Sequence, residues 1–151
     1  MQAFIEHAKS KMIVDKRLIF MYVIVYFSFG MIMNEFGAAV EIARFTYWWQ
    51  VITCYILYMI PVSLLLRGLP LRRQYAYGLI AMGVLEFCGY AFHTSYAYPN
   101  NLLDKFFDAR NFSLGMAMFF ALYFPLGNLL VGKLYDLASP KELDSAIEQK
   151  S

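Results

Sequence analysis

Four long apolar stretches constrain this chain of 151 residues more than any other feature. They cover approximately residues 17–36, 46–66, 75–94 and 113–132. Each has close to the roughly 20 apolar residues that a helix needs to cross the hydrocarbon core of a bilayer. The strands of a membrane barrel would be shorter and would alternate between apolar and polar residues. We therefore predict an all-α, polytopic membrane protein with one domain over residues 1–151, built as a bundle of four transmembrane helices.

The basic residues are distributed unevenly between the two ends of these stretches. Ten lie before or at the start of the first stretch, between the second and third, or after the fourth, whereas Arg44, Lys105 and Arg110 lie in the other connections. Because cytoplasmic segments are enriched in Lys and Arg, both termini are predicted to be cytoplasmic. We expect a multi-pass protein of the bacterial cytoplasmic (inner) membrane, with the lipid bilayer as a partner. Since the basic residues follow the predicted membrane ends, no nucleic-acid partner is expected.

Two connecting segments have the pattern of short amphipathic helices. In residues 1–16 the apolar side chains Phe4, Ile5, Ala8 and Met12 share one helical face, and the lysines lie elsewhere. This pattern is typical of a basic helix on the inner membrane surface. The outer segment that follows Pro99 begins with asparagines and then carries paired apolar residues at helical spacing. It predicts a short interfacial helix with an asparagine as its N-cap.

The third and fourth stretches carry small residues that would let two helices approach closely. These residues are Gly78, Gly83 and Gly89 in the third stretch, and Ser113, Ala117 and Ala121 in the fourth. We expect these two helices to pack tightly, either within one chain or between two chains. Pro61 and Pro125 lie near the cytoplasmic ends of the second and fourth stretches, where each removes an amide donor and kinks its helix. They are either packing kinks or hinges that open a cytoplasmic vestibule.

Glu86 is the twelfth of the twenty residues in the third stretch, about 12 Å from its outer end at about 1.5 Å per residue. An ionised side chain at that depth costs about 2.5 to 3.5 kcal/mol on insertion scales. Tyr90 and His93 follow on the same helical face, so the three residues form a polar series that leads to the outer surface. Two interpretations are open. Glu86 is neutral and hydrogen-bonded to a tyrosine or to Asn34, or it forms a proton or ligand site with Tyr90 and His93.

A second polar cluster is predicted at the outer rim, comprising Asn34, Glu35, Glu41, Arg44 and Arg110. Glu41 and Arg44 would lie one helical turn apart and could form an ion pair. The cluster is explained either by interfacial salt bridges and lipid-phosphate contacts, or by an outer vestibule. In the vestibule, Arg44 and Arg110 would receive an anionic group on its way to Glu86.

The sequence favours a binding or transport function over an enzymatic one. No catalytic residues, metal ligands or cofactors are predicted, since His7 and His93 lie on opposite sides of the predicted membrane and cannot form a paired site. The first hypothesis is a small membrane protein that binds or transports a small or lipid-like molecule at Glu86, and transport would require a homo-oligomer. The alternative is a non-catalytic membrane subunit or immunity-type partner protein whose helices dock on other membrane proteins. A membrane enzyme acting on a lipid is the least favoured.

Overall fold

The computed structural model describes residue 6 and residues 9–92, 95–107 and 111–138. Within these ranges it also describes the side chains, except those of six residues, one of which is Tyr90. The chain is mostly helical. Helix α1 is Lys16–Ala39, and a π-helical segment, Ile52–Met59, continues into α2, Ile60–Leu66. Helix α3 is Leu71–Ala91, and the short α4 is Leu102–Phe107. Helices α5, Phe112–Phe120, and α6, Tyr123–Ala138, follow.

Two of the helical regions are long and apolar enough to cross a membrane by length and composition. They are Lys16–Ala39 and the continuous region Phe112–Ala138. The region Ile52–Leu66 is equally apolar but shorter. Helix α3 has the length but a lower hydropathy, because glycines, tyrosines and Glu86 interrupt its aliphatic residues. All four apolar stretches of the sequence are therefore largely helical where described, although residues 46–49 of the second stretch are not, and two of the helical regions are long and apolar enough to cross a membrane.

The helices pack side by side, with the α5–α6 region in contact with both α1 and α3. Helix α1 also packs against the π-helical segment. Close packing of the third and fourth apolar stretches is confirmed, and it occurs within one chain: Ala117 and Ala121 are fully buried. At Gly78 a Cβ atom would overlap the ring of Phe124, whereas at Gly83 it would meet open space. Of these two glycines, only Gly78 is required by the packing.

The helices expose large apolar side chains and bury several polar ones. Phe20 on α1 is 65% exposed, Leu57 on the π-helical segment 66%, and Phe87 on α3 69%. The side chains of Ser63, Gln50 and Gln74 are buried. Exposed apolar side chains scattered singly are ordinary in soluble proteins, but contiguous apolar surface with buried polar groups is not. The outward faces of the helices are thus suited to apolar surroundings.

Both prolines follow a helical irregularity within about one turn. The π-helical turns, in which each carbonyl bonds to the amide five residues later, end just before Pro61, which lacks an amide donor and crowds the Leu57 carbonyl. The regular helix is also interrupted at Ala121 and Leu122, one turn before Pro125. The predicted distortion is present at each proline. Whether either position acts as a hinge stays a prediction.

A two-stranded antiparallel ribbon, which an all-α prediction does not include, joins the two connections that were predicted to lie outside. Strand β1, Ala43–Phe45, pairs with β2, Ser95–Ala97, with Ala43 opposite Ala97. Helix α1 ends in a Schellman motif, because the amide of Glu41 bonds to the Ala38 carbonyl and that of Ile42 to the Gly37 carbonyl. Glu41 has φ 53° in the left-handed region. The chain therefore turns out of α1 into β1, and Glu41 and Arg44 do not share a helix as the sequence analysis expected.

The short helix predicted after Pro99 is confirmed as α4, and in the turn before it Asn101 Nδ2 donates to the Tyr98 carbonyl at 2.8 Å. At the other end of the molecule, Lys11 Nζ donates to the Arg67 carbonyl at 3.0 Å, beyond the end of α2. Residues 9–12 are helical. In the rest of the segment predicted as an N-terminal amphipathic helix, residue 6 is helical, residues 13–15 are not, and residues 1–5, 7 and 8 lie outside the described residues.

Candidate functional site

A cavity of about 370 Å³ lies below the ribbon, and we call it the outer cavity after the predicted orientation of the chain. It is lined by residues of α1, β1, the π-helical segment, α3 and α5, and most of its lining side chains are aromatic or aliphatic, with four methionines. Cavities of this size and composition, with a small number of polar groups, are typical of sites for small molecules. The polar groups are therefore the informative part of its wall.

Tyr55 is one of the lining residues, and its hydroxyl group is buried. The residue is 2% exposed, and among the described residues its hydroxyl has no hydrogen-bond partner. A buried polar group left unpaired costs about 1–3 kcal/mol. The ring is held by packing: the centroids of Phe45 and Phe120 lie 6.3 Å away, each in an edge-on arrangement. The hydroxyl is thus fixed in position while its hydrogen-bonding capacity is unused.

Gly30 allows the π-helical segment to approach α1 closely enough to place Tyr55. A Cβ atom on Gly30 would lie 2.6 Å from Val51 Cγ1 and 2.9 Å from Tyr55 Cδ2. Real Cβ atoms do not tolerate such distances, so any larger residue would displace the segment that carries Tyr55. The backbone of α1 therefore forms part of the support for the site.

Glu86 is half-buried on α3 and lines the same cavity. Within the described part of the chain no hydrogen bond or ion pair to its carboxyl group is present. Asn34, which the sequence analysis considered as a partner for Glu86, is engaged elsewhere. Its Oδ1 accepts from the Phe45 amide at 3.0 Å, and its Nδ2 donates to Glu35 Oε1 at 3.4 Å. Asn34 thus anchors β1 to α1.

The other residues of the predicted polar series are only partly described. Tyr90 follows Glu86 by one turn in the helical backbone of α3, but its side chain is not described, and His93 lies outside the described residues. At the rim, Asn34 and Arg44 line the cavity, whereas Glu35 and Glu41 are exposed and do not. The guanidinium carbon of Arg44 lies 5.9 Å from the centroid of the Tyr98 ring. Arg110 lies outside the described residues.

A buried polar network in the half of the molecule away from the ribbon was not foreseen in the sequence. Tyr22 donates to Asn128 Oδ1 at 2.6 Å, and Asn128 Nδ2 donates to Gln74 Oε1 at 2.8 Å. Gln74 Nε2 in turn donates to the Leu69 carbonyl at 2.7 Å. The network therefore joins α1, α3 and α6. A tyrosine in an apolar stretch gives no sign in the sequence of which partner its hydroxyl will find.

Tyr26 makes a second set of buried hydrogen bonds, next to both proline positions. Its hydroxyl donates to the Tyr123 carbonyl at 3.1 Å and hydrogen-bonds to the Ser63 hydroxyl. Ser63 follows Pro61 by two residues, and Tyr123 precedes Pro125 by two. Along α1, Tyr26 separates the outer cavity from an inner cavity of about 430 Å³, whose lining includes Asp15, Tyr22 and Asn128. The Tyr26 contacts thus lie between the two cavities.

Comparison with protein-family profiles, with curated protein sequences and with solved structures gives no match to this chain. Within the described ranges, no three His, Cys, Asp or Glu side chains are grouped so that they could hold a metal ion. Cys54 and Cys88, both free thiols, line the outer cavity. Besides Glu86 and Tyr55, the described polar side chains of the lining are Asn34, Arg44, Gln50 and Thr53, in an otherwise apolar wall. Such a wall can hold a molecule with one polar group and an apolar body.

Proposed function

We propose that this chain is a multi-pass protein of a bacterial cytoplasmic membrane that binds a small or lipid-like molecule in the outer cavity. The observation that carries the proposal is the pairing, in one apolar cavity, of the Tyr55 hydroxyl, which lacks a partner among the described residues, with the Glu86 carboxyl. A ligand with a polar group would satisfy the Tyr55 hydroxyl and offset the cost of burying it. An apolar body would fill the remaining space.

A topology with four spans explains the exposed apolar side chains of the helices and the contacts at the two ends of the molecule. Each long helical region presents large exposed apolar side chains, including α3, which has the lowest hydropathy of the four. The ribbon pairs the two connections that the charge distribution places outside. The hydrogen bond from Lys11 to the Arg67 carbonyl joins the N-terminal segment to the connection after α2. The charge distribution predicts that both of these segments lie inside. Four spans with cytoplasmic termini fit all of these contacts.

Labelling of single cysteines distinguishes four spans from two. With Cys54 and Cys88 replaced by alanine, Trp48→Cys would probe the connection after α1, and Arg72→Cys the start of α3. If only Lys16–Ala39 and Phe112–Ala138 crossed the membrane, both positions would lie on the same side. Four spans place them on opposite sides. We expect a membrane-impermeant maleimide to label Trp48→Cys in intact cells and Arg72→Cys only after permeabilisation; equal labelling of both would contradict the four-span topology.

Transport is a further step of the proposal, supported by the inner cavity. The two cavities approach the centre of the molecule from opposite ends, and the Tyr26 contacts lie between them. Passage of a ligand between the cavities would require these contacts to break. Each proline removes one backbone hydrogen bond from its helix close to these contacts. A bundle of this size encloses little space, so transport would involve a homo-oligomer.

The alternative, a membrane subunit or immunity-type partner that docks on other membrane proteins, has less support. The small residues of α5 that could have formed a docking face are buried against the chain's own helices. Glu86 faces a cavity instead of the outer surface. A docking role leaves both the cavity and the unpaired Tyr55 hydroxyl without an explanation, and ligand binding accounts for both.

Native mass spectrometry tests the proposal on the protein released gently from detergent. We expect the wild type to retain a small molecule or lipid, and Glu86→Gln to lose most of it, because the amide cannot accept the same charge-assisted hydrogen bonds. Glu35→Gln is the matched control, since Glu35 is exposed and does not line the cavity. Equal retention by all three proteins would contradict a site at Glu86. Loss of an oligomer in Glu86→Gln, with no ligand in the wild type, would favour the docking alternative.

A further inference from the structure

We infer that the molecule held in the outer cavity is an organic ammonium ion, that is, a protonated amine attached to an apolar body. The inference rests on the proposed function and adds the chemical class of the ligand. Three properties of the wall point to it: the sign and place of its charges, the aromatic character of its surface, and the kind of hydrogen-bonding atoms it offers.

The charges favour a cation. Among the described residues that line the cavity, Glu86 is the only acidic side chain and Arg44 the only basic one. Arg44 is on the exposed ribbon, with its guanidinium over the Tyr98 ring, whereas Glu86 lies further down α3 among apolar side chains. An ionised carboxylate in such surroundings is costly unless a positive charge is close to it. A cationic ligand supplies that charge at the place where it is needed.

The aromatic side chains favour the same sign. Phe45, Tyr55 and Phe120 form a contiguous set on the wall, with edge-on contacts on both sides of Tyr55. Trp49, Phe112 and Phe119 also contribute to the lining. The faces of aromatic rings carry partial negative charge and attract ammonium groups, an effect that strengthens when water is excluded. An anionic ligand would be repelled by these faces and by Glu86.

The hydrogen-bonding atoms distinguish a protonated amine from a quaternary cation. An ionised carboxylate only accepts hydrogen bonds, and the Tyr55 oxygen can accept one as well. The N–H groups of an ammonium ion are donors to both. A quaternary cation would satisfy the charge of Glu86 but leave the Tyr55 hydroxyl without a partner. The methionines of the wall, which are flexible and polarisable, would adapt to apolar bodies of differing shape.

The fluorescence of Trp49 reports on the cavity directly. The chain has two tryptophans: Trp49 lines the cavity, and Trp48 is 77% exposed and does not. The full-length Trp48→Phe variant in detergent would be titrated with 4-phenylbutylamine, with 5-phenylpentanoate and with 4-phenylbutan-1-ol. These probes share an apolar body and carry a positive, a negative and no charge. Trp49→Phe, which keeps only Trp48, controls for partition of the probes into the micelle.

We expect the amine to bind at least about tenfold more tightly than the alcohol, and the carboxylate to bind most weakly. Glu86→Gln in the Trp48→Phe background is expected to reduce the affinity for the amine by about tenfold or more, with little change for the alcohol. Tyr55→Phe is expected to reduce it by a smaller factor of about three to ten, because the lost hydrogen bond is to a neutral group. Glu35→Gln is expected to leave all three affinities unchanged.

The titrations of the Trp48→Phe protein with the three probes leave the cavity unaltered and need no Glu86 variant. They therefore test the inference even where a Glu86 variant fails to fold. Tighter binding of the carboxylate or of the alcohol would overturn the inference. So would an amine affinity that is unchanged in a folded Glu86→Gln protein. If none of the probes binds but the wild type retains a lipid that Glu86→Gln loses, the inference fails and the proposed function stands. If no probe binds and no molecule is retained, both fail.

Discussion

Replacing Gly78 with alanine is expected to destabilise the protein by about 1–3 kcal/mol, the usual cost of forcing an extra methyl group into a filled interior. A Cβ atom at this position would overlap the ring of Phe124, which is fully buried. The ring cannot withdraw easily, because Phe124 directly precedes Pro125 in a segment that packs against both α1 and α3. Relief of the overlap therefore requires α3 and α6 to move apart.

Gly83 provides the matched control on the same helix. A Cβ atom there meets no atom within 4 Å, so Gly83→Ala adds no overlap and gains the helix propensity of alanine, about 0.5–1 kcal/mol. Reversible unfolding in mixed micelles would compare the two variants with the wild type. A Gly78→Ala protein as stable as Gly83→Ala would contradict the observed contact between α3 and Phe124.

The positions of the long helices could be predicted from the sequence because apolar length is a local property. The stretch 17–36 corresponds to α1, Lys16–Ala39, and 75–94 overlaps most of α3, Leu71–Ala91. The second helical region begins later than expected, at Gln50 instead of residue 46, since β1 and a turn occupy the preceding residues. Aromatic residues near the ends of a membrane helix do not reveal in sequence where the first helical hydrogen bond forms.

The ribbon and the end of α1 were not predictable by the same means. Three residues are too few to show the alternation that indicates a strand, and the pairing of Ala43 with Ala97 joins parts of the chain that are far apart in sequence. Glu41 occupies the left-handed position of a Schellman motif, where glycine is usual. A glutamate gives no sign of that conformation, and the sequence analysis placed it on a helix with Arg44.

Of the two main polar residues of the candidate site, Glu86 could be predicted from the sequence and Tyr55 could not. A glutamate in an apolar stretch stands out because its burial is costly, and Glu86 indeed lines a cavity. Tyr55 does not stand out, because the chain has many tyrosines and whether a hydroxyl is paired depends on tertiary contacts. Tyr22, Tyr26 and Tyr55 look alike in the sequence, yet the first two are hydrogen-bonded and the third has no partner among the described residues.

This difference predicts opposite responses to one chemical change, the removal of a tyrosine hydroxyl. Tyr26→Phe is expected to destabilise the ligand-free protein by about 2 kcal/mol, because it removes the bonds to the Tyr123 carbonyl and to the fully buried Ser63 hydroxyl. Tyr55→Phe is expected to leave the ligand-free protein equally stable or to stabilise it by up to about 1 kcal/mol, because it removes an unpaired polar group from the interior. Unfolding of both variants in ligand-free detergent would measure the difference.

The two variants also separate structural from functional polar groups. A hydroxyl that holds the helices together should reduce stability on removal whether or not ligand is present. A hydroxyl whose partner is a ligand should show its effect only when that ligand is bound, as a loss of the stabilisation that the ligand confers on the wild type. A Tyr55→Phe protein destabilised as much as Tyr26→Phe in the absence of ligand would show that Tyr55 is a structural residue. The capacity of the cavity to bind a polar molecule would then depend on Glu86 alone.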